Sequence, residues 1–161
     1  MAQLYPVAGC KIYIGPADDL PVGDIDATDF TSVVWTEIGG WTQMGAFGDT
    51  AALITTPLIG EGRDVKQKGT KNAGQMQNVF AVYPTDAGQL ALIAAANSSS
   101  NFPFKIELND APVGGTPSTR LFMGLVMTAQ EAGGAANTVQ SLNATIEINT
   151  NVVRVAAAEG D

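Results

Sequence analysis

The feature that most limits the fold of this chain is a strict alternation of apolar and polar residues near its end, in "SLNATIEI". The apolar residues share one side: Leu142, Ala144, Ile146 and Ile148. The polar residues share the other: Ser141, Asn143, Thr145 and Glu147. A period of two predicts a β-strand with one side on a core, which we place at 138–155, and the stretch 119–132 before it predicts a partner strand. The residues "GGAAN" between them predict the turn of a long hairpin.

Similar patterns predict further strands along the chain. They lie at 10–15, 32–41, 42–56, 75–83 and 102–108. Gly45 and Gly48 interrupt the strand predicted at 42–56 and indicate possible bulges there. One helix is predicted at about 85–97, because Thr85 or Asp86 can cap its start and an Asn-Ser run follows its end. The side of this helix expected to face the core carries three residues: Leu90, Ile93 and Ala94. The chain therefore reads as mainly β, with one helix.

The length of 161 residues fits one domain at 1–155, followed by a flexible tail at 156–161. The stretch 1–32 contains an N-terminal arm and an acidic loop, whose carboxylates include Asp18, Asp19, Asp24 and Asp26. A second, glycine-rich loop is predicted at 57–75. It holds four of the eight bases of the chain: Arg63, Lys66, Lys68 and Lys71.

The composition excludes several classes of function. A net charge of −8 argues against binding nucleic acid through its phosphates, and the absence of histidine excludes histidine-dependent catalysis and most zinc sites. The basic loop lacks the glycine spacing of a P-loop, and the acidic loop lacks the Gly and Glu of an EF-hand. No enzymatic activity, catalytic residue, cofactor or metal is therefore expected. The alternative interpretation of both loops is that they are ordinary flexible segments exposed to solvent.

A single cysteine, Cys10, allows no disulfide within the chain. The first residues carry no basic and apolar pattern of a signal peptide, and no apolar run approaches the ~20 residues needed to span a bilayer. We therefore expect no membrane insertion. Charged residues make up only 15% of the chain, which suggests that partners cover part of its surface.

Three stretches together resemble a known family. They are "WTEIGGWTQMGAFGDTAALI", "DAGQLALIAAANSSSNFPFKIEL" and "RLFMGLVMTAQEAGGAANTVQSLNATIEI". Their order and spacing are similar to those of the major tail tube proteins of long-tailed bacteriophages, the siphoviruses. The resemblance covers roughly residues 33 to 150.

This resemblance implies a β-sandwich or barrel subunit with one flanking α-helix. Six subunits would form a ring, and each would contribute four strands to a continuous inner β-barrel. Such a barrel would be about 48 Å across at the backbone, wide enough for a DNA duplex. Rings would stack into the tail of a virion, assembled in the cytoplasm of the bacterial host. The implied partners are other copies, a tape measure protein and tail tip or terminator proteins, with DNA present only in transit.

Two sets of residues acquire expected roles in such a tube. Head-to-tail stacking needs complementary patches, so the bases Arg63, Lys66, Lys68 and Lys71 are expected to meet Asp18, Asp19, Asp24 and Asp26 of the next ring. The side of the last strand without bases is expected to face the lumen: Ser141, Asn143, Thr145 and Glu147. Two alternatives stay open, a type VI-like secretion tube and a monomeric β-sandwich binding module.

Overall fold

The structure, a computed structural model, describes residues 3–21 and 23–160. Within them it forms one α-helix, α1 (Ala87–Ala96), a 3-10 turn at Ala27–Phe30 and ten strands. The strands are β1 (Lys11–Ile14), β2 (Thr36–Ile38), β3 (Trp41–Gln43), β4 (Thr50–Thr56), β5 (Val65–Asn72), β6 (Gln75–Ala81), β7 (Phe102–Glu107), β8 (Thr119–Ala132), β9 (Ser141–Ile148) and β10 (Val153–Val155). The mainly β class with one helix is confirmed.

Eight strands form one antiparallel sheet in the order β2-β1-β7-β8-β9-β6-β3, with β10 paired to β8 beyond the end of β9. The two edge strands of this sheet, β2 and β3, are neighbours in the chain. Only Gly39 and Gly40 separate them, so the two ends of the sheet lie close together and the sheet is rolled around its core. Gly40 has a φ of 78°, a conformation that favours glycine at this bend.

The core lies inside the rolled sheet and confirms the alternation in β9. Leu142, Ala144, Ile146 and Ile148 are all buried there. The largest fully buried side chains of the same cluster are three phenylalanines: Phe80, Phe104 and Phe122. The rings of Phe104 and Phe122 lie 5.6 Å apart in a stacked arrangement. The predicted hairpin of β8 and β9 therefore supplies one wall of the core.

Helix α1 closes this core, and its predicted position is confirmed. The Asp86 carboxylate caps it by accepting a hydrogen bond from the Gln89 backbone at 2.9 Å. Its predicted inner side is wrong for Leu90 and Ala94, although Ile93 is partly buried against the core. The fully buried residues of the helix are Gly88, Gln89, Leu92 and Ala95. Leu90 is instead 52% exposed. The helix carries no charged residue, so its sequence does not distinguish an inner from an outer side.

The motif "DAGQ" at the start of α1 explains how the helix is held against the bend between β2 and β3. Gln89 is buried, and its amide donates to the carbonyls of Gly39 at 2.8 Å and Ala81 at 2.7 Å. Its side-chain oxygen accepts from the Tyr83 backbone at 3.0 Å. A β-carbon on Gly88 would lie 2.1 Å from the Glu37 carbonyl, so only glycine allows this close packing on β2.

Two predicted segments differ from the structure in the first half of the chain. The stretch 57–75 is not a loop throughout, since β5 occupies Val65–Asn72 and pairs with β4. The stretch 42–56 is not one strand, because the chain is irregular between β3 and β4. There the Gly45 backbone donates to the side chain of buried Asn78 at 3.0 Å instead of continuing the ladder. The strand predicted at 32–41 is likewise reduced to β2, and the strand predicted at 138–155 is divided into β9 and β10.

The predicted flexible tail at 156–161 is also corrected over the part that the structure describes. Ala158 pairs with Thr116 through two backbone hydrogen bonds of 2.8 and 3.1 Å. These bonds hold the end of the chain against the loop between β7 and β8. Asp161 lies outside the described residues.

Candidate assembly surfaces

The first candidate surface is the side of β6, β8 and β9 that faces away from the core, here called the polar face. It is formed mainly by amide and hydroxyl side chains: Gln75, Gln77, Thr128, Gln130, Ser141, Asn143 and Thr145. Four residues interrupt it, namely Val79, Ala81, Leu125 and Ala132, and Glu147 is its one ionisable residue. The Thr128 and Thr145 hydroxyls, opposite each other on β8 and β9, form a 2.8 Å hydrogen bond.

All four residues predicted to line a lumen therefore lie on the polar face. Asn143 is exposed, and Ser141, Thr145 and Glu147 are partly buried by their neighbours. Glu147 does not enter the core, which agrees with the predicted register of β9. The polar face carries no lysine or arginine, so it offers little electrostatic attraction to a polyanion.

On the same side of the sheet, β1, β7 and the first half of β8 carry buried apolar residues and a charged cluster in place of the polar side chains. Leu121 and Met123 are buried there beneath Ile25 and Phe30. These two residues belong to the predicted acidic loop, 16–30, here called the acidic segment. Beside them the Lys105 ammonium lies 3.4 Å from the Glu107 carboxylate and 4.5 Å from the centre of the Tyr13 ring. This base is paired and partly buried, away from the polar face.

Tyr13 belongs to that charged cluster, and its hydroxyl donates to Glu107 at 3.2 Å. Burial and the nearby Glu107 carboxylate both disfavour the phenolate, which raises the pKa of Tyr13 to about 12. The cluster therefore keeps its phenol protonated far above neutral pH.

The second candidate surface is the hairpin of β4 and β5, here called the arm. Every residue of its two strands is exposed except Gly69, which is partly covered. Three lysines project from one side of the arm, because Lys66, Lys68 and Lys71 pair with Thr55, Leu53 and Ala51. The opposite side carries Ile54, Val65 and Gln67 and no charge. The arm therefore has a basic side and a neutral side.

Arg63 lies beyond these strands, in the turn at the end of the arm. The one salt bridge among residues 3–21 and 23–160 joins Lys105 to Glu107, so the bases of the arm have no carboxylate partner there. Isolated two-stranded hairpins are only marginally stable in water. The exposed apolar residues of the arm, Leu53, Ile54 and Val65, are the feature expected of a segment that another molecule covers.

The acidic segment is more ordered than a solvated loop, and its four predicted residues have different surroundings. Asp18 forms a backbone bridge to Asn101, and Asp19 is exposed beside it. The Asp26 carboxylate caps the 3-10 turn by accepting hydrogen bonds from the side chain and backbone of Thr28, which lower its pKa. Asp24 is exposed and lies at the foot of the arm.

One polar cleft of about 540 Å³ at this foot joins residues from the predicted ring contact and from the predicted lumen. Lys71, Asp24 and Glu147 line it, together with Asp49. Arg63, Lys66 and Lys68 lie farther out along the arm, and Asp18 and Asp26 do not reach the cleft. The structure thus gathers one base and three carboxylates where the arm leaves the body.

Sequence reasoning missed the residues that position these surfaces. Asn151 holds the acidic segment in place, since its side chain accepts from the Ile25 backbone at 2.8 Å and donates to the Ile25 carbonyl at 3.1 Å. Asn78 orients the chain before the arm by accepting from Gly45 and from the Trp41 indole at 3.2 Å. Only the buried position of Asn78 within the alternation of β6, and the position of Asn151 shortly after β9, could have indicated them.

Two further observations concern metals and membranes. Within the part of the chain that the structure describes, no group of three or more His, Cys, Asp or Glu side chains could hold a metal ion. In the same part, no helix has the length and apolar character required to cross a lipid bilayer.

The fold is shared with subunits of several solved assemblies. No protein-family model and no curated protein matches the sequence. A chain from the anti-feeding prophage baseplate matches with a TM-score of 0.68 at 14% identity, over 97% of this chain and 98% of that one. A chain from the sheath/tube terminator of the PVC extracellular contractile injection system matches with a TM-score of 0.70 at 12% identity, over 96% and 99%.

A third similar structure is that of the SPP1 tail tube, with a TM-score of 0.61 at 11% identity, covering 97% of this chain and 81% of that one. At these identities the likeness shows the fold. This chain has the fold of subunits in tail tubes and contractile injection assemblies. All three assemblies are described by structural parts, a baseplate, a terminator and a tube, and not by a catalysed reaction.

Proposed function

We propose that this protein is a non-enzymatic structural subunit of a siphovirus tail tube. Six copies close into a ring, and their sheets join into an inner β-barrel lined by the polar face. Rings stack head to tail into a hollow tube that conducts the viral genome. The observation that carries this proposal is a polar face without bases on a fold shared, over nearly the whole chain, with the SPP1 tail tube.

The polar face suits a lumen because DNA must pass without binding. Each contact between a base and a phosphate releases counterions and strengthens binding, so a conducting wall should lack bases. Here the lining would be mainly amides and hydroxyls, with Glu147 as the one charge of each subunit. Joining the sheets into a closed barrel would also remove exposed sheet edges that otherwise favour aggregation.

The arm suits the contact between stacked rings. Its strands of seven and eight residues extend about 25 Å at 3.3 Å per residue. Its basic side has no partner among the described residues, and the rest of the chain is acidic. We infer that Arg63, Lys66, Lys68 and Lys71 meet the acidic segment of the next ring, where Asp18, Asp19 and Asp24 are exposed. Asp26 adds its charge there while capping its own turn.

The remaining partners follow from this role. A tape measure protein would occupy the lumen during assembly, and tail tip and terminator proteins would bind the two ends of the tube. Assembly would take place in the cytoplasm of the bacterial host, and the finished protein would belong to the virion tail.

A second candidate is a tube of an injection system that delivers protein. The likeness to assemblies described as an anti-feeding prophage and an extracellular contractile injection system favours it. The two candidates differ in cargo. Genes for a capsid and a tape measure protein beside this one would favour the virion tail, and genes for a sheath would favour the injection system.

Negative-stain electron microscopy of the concentrated protein tests the shared part of both proposals. We expect rings of six subunits and stacks of such rings. A monomeric binding module would instead stay at the 16.6 kDa mass of one chain at all concentrations in analytical ultracentrifugation. That result, without rings under any salt condition, would refute the tube.

A further inference from the structure

The outward side of α1 is apolar although it is exposed. Leu90 is 52% exposed and Ala94 is exposed, while Leu92 and Ala95 on the inner side are buried. Helices that are apolar on both sides are normally covered on both. In this chain only the inner side of α1 is covered, so a second contact surface is expected on the outer side.

A groove runs beside this side of α1, where the helix meets the end of β1 and the start of β7. It has a volume of about 390 Å³ and is lined mainly by apolar residues: Ile14, Pro16, Val34, Ala91, Ala94 and Phe102. Val34, on its rim, is 76% exposed. No charged residue lines the groove, so its occupant should be apolar and uncharged.

The N-terminal segment, residues 3–9, has that chemistry. It contains no charged residue, and three of its large side chains are exposed: Leu4 at 92%, Tyr5 and Val7. Because Leu4 is almost wholly exposed, it makes almost no contact with its own chain. Pro6 cannot donate a backbone hydrogen bond, which favours recognition through side chains over addition of a strand.

The segment is held at the end of β1 that lies far from the groove. The Asn109 side chain donates to the Ala8 carbonyl at 3.0 Å, and Cys10 donates to the Val7 carbonyl at 3.0 Å. The groove begins at Ile14, at the opposite end of β1, roughly 13 Å away at 3.3 Å per residue. Donor and acceptor surfaces thus occupy opposite ends of one strand.

We propose that Leu4 and Tyr5 of one copy occupy the groove beside α1 of a second copy. Each copy then uses one surface as donor and a different one as acceptor, which is a heterologous contact that can close into a ring. The proposal rests on the ring of the proposed function and adds the residues that join adjacent subunits. It assigns the uncharged groove and the uncharged segment to each other, and leaves the charged arm for contacts between rings.

Cross-linking between two cysteine variants tests this contact in the full-length chain. Both carry Cys10→Ser; one adds Leu4→Cys and the other adds Val34→Cys. The two are mixed, assembled and oxidised with copper phenanthroline, and we expect covalent dimers that contain one copy of each. The matched control replaces Val34→Cys with Val139→Cys, which has the same 76% exposure but lies before β9. We expect at least tenfold fewer dimers of Leu4→Cys with Val139→Cys.

A chain that carries Leu4→Cys and Val34→Cys together separates the possible arrangements. Cross-linking within single chains would overturn the proposal, since the segment would then fill the groove of its own copy. Tubes without Leu4–Val34 dimers would overturn it and leave the proposed tube intact. If no rings form and no dimers appear, both proposals fail. Dimers without rings would support the contact and refute the tube.

Discussion

The hairpin of β8 and β9 and the arm of β4 and β5 have the same antiparallel pairing but opposite surroundings. One side of β9 is buried in the core through Leu142, Ala144 and Ile146. In the arm, Leu53 and Ile54 are exposed on opposite sides of the hairpin. The first hairpin is therefore held by packing within the chain. The second lacks such packing, and its stability in place depends on what covers it.

This difference divides the protein into a body that carries its own stability and an arm that carries contacts. Core residues in such a body contribute several kcal/mol each, whereas exposed hairpin residues contribute little. The arm can therefore hold three lysines on one side without weakening the body. Carboxylates of another molecule that approach this side would reduce the repulsion between the lysines.

The largest expected effect comes from removing one core side chain. Ile146→Ala in β9 should lower the free energy of unfolding by about 3 kcal/mol, because Ile146 is 1% exposed and its loss leaves a cavity. The matched change Ile54→Ala in the arm should cost about 0.5 kcal/mol or less, because Ile54 is 45% exposed. Urea denaturation of the monomer measures both. Equal losses would show that the arm packs on the body as the core does.

A smaller effect is expected from a polar residue inside the body. Gln89→Ala should cost about 2 kcal/mol, because it leaves the Tyr83 N–H and the carbonyls of Gly39 and Ala81 without partners. Gln67→Ala, on the exposed arm, should change the unfolding free energy by only about 0.5 kcal/mol or less. Denaturation in urea again provides the measurement. An unchanged stability of Gln89→Ala would mean that water replaces the amide.

The third prediction concerns assembly, with little change in the fold. Reversing Lys66, Lys68 and Lys71 to Glu should leave the unfolding free energy within about 1 kcal/mol, since all three are exposed. It should shorten the tubes seen by electron microscopy, because like charges would then face each other across the ring contact. Changing the same residues to Gln serves as the control and should shorten tubes less. Tubes of normal length after charge reversal would contradict the assigned contact.

The smallest effect should come from Tyr13 and depends on pH. Its pKa is raised from the ordinary value of 10.0 to about 12, so the folded state holds the phenolic proton more tightly than the unfolded state. The resulting stabilisation is complete below pH 10 and is lost as pH rises towards 12. Urea denaturation from pH 9 to 12 should show a smaller decline for Tyr13→Phe. Parallel declines would mean that Tyr13 ionises alike in both states.

The elements with a buried side could be predicted from the sequence, and the arm could not. The alternation in β7 and β9 indicates which residues face the core, because burial of one side imposes a period of two. Strand β5, "VKQKGTKN", has no apolar alternation, since neither of its sides is buried. Its glycine and three lysines are typical of a loop, and only pairing with β4 makes it a strand. The assembly roles of its bases stay predictions.

By itself the sequence determined the mainly β class, the last hairpin, the position of α1 and a set of β9 side chains free of bases. Each follows from local periodicity or from a capping residue. Only the tertiary structure decided which side of α1 is buried, because "AGQLALIAAA" is apolar all round. The close approach of Gly88 to β2 and the hydrogen bonds of Gln89 select that side. Leu90 and Ala94 are thereby left facing outward, where a second copy can cover them.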